Sequence, residues 1–185
     1  MKAMALALAA VLATTGVSAQ TGAPDPAAQR TALAKFAMLD GTWTGTATVM
    51  GREGRQDLRH TERVGPMLGG AIRVIEGKSY RADGSEAGFN AFAVISYDAD
   101  AGRYDFRSYA QGHAGTFPIE ATGTGFAWTM PAGPATIRYV AVVKDGSWHE
   151  EGTLTRPGAP PVQVIVLDLK RTGATDWPSA GAVRP

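Results

Sequence analysis

From residue 43 onward, apolar and polar side chains alternate with a period of two, in short runs broken by clusters of glycine, proline and aspartate. The runs cover residues 43–50, 57–64, 70–80, 89–97, 103–110, 116–121, 126–130, 135–144, 147–155 and 162–171. A period of two sends successive side chains to opposite faces of a strand, so about ten strands are predicted. The links between them carry turn formers: Gly51-Arg52-Glu53-Gly54, Ala82-Asp83-Gly84, Asp98-Ala99-Asp100-Ala101-Gly102, Gly123-Thr124-Gly125 and Lys144-Asp145-Gly146. No interval offers the crossover helix of a dozen or so residues that parallel strands require. The pattern predicts an all-β chain, an antiparallel up-and-down meander closing into a β-barrel. Closure removes the sheet edges and leaves an interior lined by alternate side chains from every strand.

Ahead of the first strand, residues 27–38 carry one helical stripe in Leu33, Phe36 and Ala37. The expectation is a short helix that caps one end of the barrel, with Phe36 as its plug. Earlier still, Lys2 precedes an apolar run from Ala3 to Ala13, and Thr14-Thr15-Gly16-Val17-Ser18-Ala19 leads to Gln20 with small residues where a signal peptidase reads. Residues 1–19 therefore read as a signal peptide cleaved after Ala19, which predicts an exported, periplasmic or secreted protein. The run is shorter than the roughly 18 apolar residues of a membrane span. The remaining division is a linker at 20–26, a single barrel domain at 27–173 and a tail at 174–185 lying over the outside.

Composition narrows the partners. In 185 residues, 44% hydrophobic content is enough for one core. The absence of cysteine excludes disulfides, thiolate metal sites, a cysteine nucleophile and a lipidated-cysteine anchor, and an exported domain without disulfides suits a bacterial periplasm. Of 18 basic and 17 acidic side chains the leader carries away Lys2, so the mature chain is balanced. Its basic residues are scattered singly, which argues against nucleic acid and against an anionic membrane surface. Hydrolase elbows, zinc motifs, phosphate-binding loops, dinucleotide fingerprints and calcium loops are all missing from the sequence.

Candidate chemistry lies in polar groups that alternation aims inward. Leu58, His60, Glu62 and Val64 share a face. So do Ile72, Val74 and Glu76, opposite Arg73 and Ile75; Arg107 shares one with Tyr109, and Arg138 with Val140 and Val142. Phe126, Trp128 and Met130 form an aromatic face that Trp148 and Leu154 meet across the interior, and the phase that puts Trp148 inside turns His149 outward. A carboxylate inside an apolar barrel needs a partner or a shifted titration. The expectation is that Glu62 pairs with Arg107 or Arg138 as a polar centre, with Trp128, Trp148 and Tyr109 as walls. The alternative is that these charges face solvent, the ordinary arrangement on antiparallel strands.

Gly41-Thr42-Trp43 at the first strand and Lys170-Arg171 at the last, with the helix before and about ten strands between, resemble the calycin superfamily of lipocalins, fatty-acid-binding proteins and nitrobindin-like barrels. Glu62-Arg63-Val64 leading to Gly69-Gly70, Ser96-Tyr97-Asp98 and Leu169-Lys170-Arg171 are similar to exported bacterial lipocalin-like proteins of unknown function. The resemblance implies that Trp43 closes one end of the barrel under a stacked Arg171, or Lys170 in the other phase. Such a cation-π contact contributes about 0.5–2 kcal/mol. It also implies that heme chemistry would need a late axial histidine, and of His60, His113 and His149 the best placed, His149, is read as outward. The functional expectation is a binding protein for a small, mostly apolar molecule, without cofactor. Its alternatives are a cofactor-independent isomerase or cyclase with Glu62 as acid or base, and an envelope interaction or stress module with a filled barrel.

Overall fold

The structure is a computed structural model and describes residues 26–51 and 54–177. The expected leader, nearly all of the linker, Arg52 and Glu53 of the first turn, and residues 178–185 of the tail lie outside the described residues. The strands are β1 (Gly41–Gly51), β2 (Gly54–Met67), β3 (Ile72–Tyr80), β4 (Ala91–Asp98) and β5 (Arg103–Ala110), followed by β6 (His113–Thr122), β7 (Gly125–Ala132), β8 (Ala135–Lys144), β9 (Ser147–Thr155) and β10 (Val162–Gly173). Each pairs antiparallel with its neighbours in sequence, and β1 pairs with β10 as well as β2, so the sheet closes into a ten-stranded barrel with every edge occupied.

Two of the hairpins turn in two residues with positive φ. Asp145 and Gly146 stand at φ 51° and 70°, and Gln111 and Gly112 at 51° and 80°. A tight turn of this hand matches the right-handed twist of the flanking strands. Asp-Gly advertises such a turn in sequence; glutamine does not, and the second turn has no comparable signal.

One end of the barrel is closed by the N-terminal segment. Helix α1 (Pro26–Leu33) starts on proline, whose fixed φ suits the first helical position, and runs into a 3-10 segment, Ala34–Leu39. The expected short helix is present with its second half tightened to 3-10, and its stripe is corrected at Ala37. Leu33, Phe36 and Leu39 are fully buried and Ala37 is exposed. Apolar residues spaced by three line up on one face when the helix tightens to three residues per turn. Burial of each of these side chains contributes about 1.5–3 kcal/mol. Phe36 meets Tyr104 edge-on at 5.2 Å, and the Tyr104 hydroxyl donates to the Ala32 carbonyl at 3.1 Å.

Two arginines fasten this plug. Arg73, buried on the inner face of β3, donates through Nε and Nη2 to the two Asp40 carboxylate oxygens at 2.8 and 2.9 Å and through Nη1 to the Leu33 carbonyl. Arg171 lies 4.3 Å over the Trp43 ring and donates to the carbonyls of Asp40 and Met38. Trp43 in turn donates from Nε1 to the Leu39 carbonyl at 2.8 Å, so the stacked pair and the helix end share one network. The late basic residue of this contact is Arg171; Lys170 sits in the other phase, bonded to Ser147.

The described part of the tail lies on the outside of the barrel. A Cβ on Gly65 would come within 2.8 Å of Thr175 Oγ1 and 2.9 Å of Trp177 Cβ. The Arg63 guanidinium covers the Trp177 ring at 5.5 Å, and Phe92 flanks it at 6.5 Å.

Candidate functional site

The barrel interior holds a cavity of about 580 Å³, of the size that takes a drug-sized molecule. Its floor is at the plug end, where Trp148 packs edge-on against Trp43 at 5.6 Å and against Phe126 at 5.8 Å. Its middle is an aromatic wall. Trp128 stacks on Tyr139 at 4.1 Å, nearly parallel, with Phe106 and Phe117 packed against its other sides at 4.7 and 5.6 Å. At the end away from the helix, Asn90, Gln111, His113 and Pro131 ring the mouth.

Two glycines make room inside. A Cβ on Gly77 would stand 2.6 Å from Glu62 Oε1, and one on Gly152 would stand 2.9 Å from the Tyr139 ring. The first opening lets a carboxylate lie against β3, and the second lets a phenol lie flat against Trp128.

The polar centre is built by β2, β3 and β9. Register sets His60 opposite Ser79 and Glu62 opposite Gly77. His60 is buried and saturated: Nδ1 contacts Ser79 Oγ at 2.6 Å and Nε2 contacts Glu62 Oε1 at 2.9 Å. A carboxylate only accepts, so Nε2 carries the proton, while Nδ1 shares the second hydrogen bond with the Ser79 hydroxyl. The chain of Ser79, His60 and Glu62 orients one carboxylate oxygen. The other, Oε2, is buried and has no hydrogen-bond partner among the described residues.

A second carboxylate faces the same space. Glu150 is buried on the inner face of β9, and the Trp148 indole N–H donates to its Oε2 at 3.1 Å. Its pKa is pushed up to about 7, first by burial and then by the charge of Glu62, against the favourable indoles of Trp148 and Trp128. Burial, and next the Glu150 charge, also push the Tyr139 phenol up to about 12. The described residues lining the cavity include Glu62, Glu150, His60 and His113 but no lysine or arginine.

Of the residues read from the sequence, Glu62, Trp128 and Trp148 line the cavity. The expected arginine partners do not. Arg107 is exposed on the outer face of β5, where Nε donates to the exposed Tyr109 hydroxyl at 2.7 Å, and Arg138 is exposed on β8. The interior faces are instead those of Phe106 and Ser108 on β5 and of Ile137 and Tyr139 on β8. His60 takes the place of the expected arginine beside Glu62, and Tyr139 the place of Tyr109 in the wall.

Three residues of the site were not singled out. Glu150 follows from the phase that put Trp148 inside, since residues two apart share a face, but the doublet Glu150-Glu151 reads as a solvated pair. Ser79 is buried on the face of β3 that carries Arg73 and Ile75. Tyr139 alternates with the three residues read as one face of β8. His149 points outward as expected and donates to Asp168 at 2.7 Å, which raises its pKa. No protein-family model and no curated protein sequence matches this chain.

Proposed function

We propose that this chain is an exported binding protein that holds a small, mostly apolar molecule inside its barrel. One observation carries the reading: a cavity of about 580 Å³ walled by Trp128, Tyr139, Phe106 and Phe117 that contains a buried carboxylate oxygen with no partner among the described residues. Aromatic walls supply affinity through burial, and a few fixed polar groups supply orientation. Leaving a buried acceptor unsatisfied costs about 1–3 kcal/mol, a penalty that a donor on a bound molecule removes. Export rests on the leader pattern of residues 1–19. The filled-barrel interaction module gains no support from an interior of this size.

The test is native mass spectrometry of the protein expressed with its own leader, followed by mild denaturation and identification of what is released. A stoichiometric small molecule is expected, and an Ala93→Phe variant, which places a ring in the cavity from β4, should retain about a tenth of it or less. An apo mass that persists after incubation with lipids, amines and hydrophobic dyes overturns the reading.

A second reading is an acid-base enzyme in the same cavity. Its support is the contrast between two facing carboxylates: Glu62 fixed by the His60 N–H as an acceptor, and Glu150 held near pH 7 as a ready proton donor. Catalysis would abolish turnover in Glu62→Gln while leaving affinity for product within a few-fold. A carrier has no turnover to lose, and only its affinity changes.

A further inference from the structure

We propose that the molecule held in the barrel is a cationic amphiphile: a flat aromatic or polycyclic body bearing a protonated amine, whose N–H groups are received by Glu62 Oε2 on the cavity floor. This inference rests on the binding reading above and gives it a chemical class. Three independent features of the cavity agree on the sign of the head group.

The first is its charge census. The ionisable groups that line the cavity are two carboxylates, two histidines and the Tyr139 phenol, with no lysine or arginine among the described residues that line it. Arg73, the buried arginine nearest the interior, is consumed by Asp40 and the Leu33 carbonyl at the plug, while Arg107 and Arg138 lie outside. An anionic head, such as a fatty acid's, would meet two carboxylates and no lysine or arginine to offset them, which low-dielectric surroundings make severe.

The second is the hydrogen-bond state of Glu62. Its side chain is nine-tenths buried; Oε1 is engaged by His60, and Oε2 has no partner among the described residues. An acceptor in this state is complemented only by a donor. A donor that brings positive charge makes the stronger, charge-assisted bond and relieves the repulsion between Glu62 and Glu150 at the same time.

The third is the wall. The indoles of Trp148 and Trp128 flank the carboxylates, with Phe126 against Trp148 and Tyr139 stacked on Trp128. Ring faces attract cations and repel anions, and a stacked pair of large rings receives a flat apolar body better than a flexible chain.

The experiment uses three probes that share one body: 1-naphthylmethylamine, 1-naphthylmethanol and 1-naphthoate, titrated at pH 7.5 against the mature chain by tryptophan quenching and calorimetry. The amine is expected to bind about tenfold or more tighter than the alcohol, the increment of one charge-assisted hydrogen bond, and the naphthoate weakest of all. Glu62→Gln should erase the preference for amine over alcohol while leaving the alcohol within about threefold. Glu62→Gln is isosteric, and the wild-type series decides the question by itself should that variant not fold. Naphthoate binding as tightly as the amine overturns the cationic head group and leaves the binding cavity standing. Retention of the amine preference in a folded Glu62→Gln chain overturns the assignment to Glu62. Failure of all three probes to bind or quench overturns the cavity reading and this inference with it.

Discussion

Glu150 is a carboxyl group that the fold favours in its protonated form. Its pKa rises from 4.5 to about 7 because burial penalises the charge and Glu62 repels it, while two indoles oppose the shift. Between these values the folded chain holds a proton that the unfolded chain has released. The stability this contributes is fully present below about pH 4.5 and is lost as pH rises through about 7, by an amount on the order of 3 kcal/mol. His149 works in the same direction, since its partner Asp168 raises its pKa, although that site is largely exposed and its share is small. The groups facing Glu150 are Glu62, Tyr139 and the Trp148 and Trp128 indoles, and none of these is cationic. Urea unfolding of the wild type between pH 5 and pH 8 should therefore show falling stability. Glu150→Gln should remove most of that slope and equal or exceed the wild type at pH 8. A wild type and variant with parallel profiles would mean that Glu150 titrates as an ordinary carboxyl group.

At the scale of elements, the plug is the part whose stability is most concentrated in single side chains. Arg73 is buried and makes three hydrogen bonds to Asp40 and Leu33, whereas the Arg171 guanidinium is exposed and adds its stacking on Trp43. Arg73→Met leaves Asp40 and a buried carbonyl without their donor and is expected to cost about 2–4 kcal/mol; Arg171→Met should cost about 1–2 kcal/mol. Chemical denaturation measures both, and hydrogen exchange in α1 should accelerate more in the first variant. An equal or reversed order would show that the Arg171 clamp, its stacking and its two hydrogen bonds together, rather than the buried ion pair, holds the plug. Arg171 was legible because Trp43 and a terminal basic residue bracket the strand series. Arg73 was not, because alternation assigned it a face without saying what waited there, and its partner Asp40 is 33 residues away.

The same limit separates the readable and unreadable strands. On β2, Leu58 and Val64 bracket His60 and Glu62, so one apolar face fixes the phase and carries both polar residues inward. On β8 the sets Arg138, Val140, Val142 and Ile137, Tyr139, Ala141, Val143 are both largely apolar, and alternation alone does not choose between them. The pairing of Tyr139 with Trp128 chooses, by bringing two large rings to one side of the sheet. On β5, Arg107 and Tyr109 satisfy each other on the surface, which removes any need for them inside. The strand count and order were legible because turns and period are local properties. The polar centre was legible only as far as each strand's phase.

For the molecule as a whole, closure and cavity depend on one long-range contact, the pairing of β10 with β1. The β1 partners of β10 include Trp43 opposite Arg171 and Val49 opposite Ile165, contacts that join the two ends of the described chain. Such pairings must offset a large loop-closure entropy, so they are expected to form after the local hairpins, and until they form β1 and β10 present open edges. A chain ending at Pro161 loses β10, and with it the Arg171 clamp on the plug and the cavity-lining residues Ile165 and Leu167. It should self-associate in size-exclusion chromatography with light scattering and should fail to bind the naphthyl amine at concentrations that saturate the complete chain. Adding a synthetic peptide spanning residues 162–173 should restore some monomer and some binding, because the missing strand supplies both the ladder and the cavity wall. A truncated chain that stays monomeric and still binds would show that nine strands close without the tenth and that the Trp43–Arg171 contact is dispensable to the site.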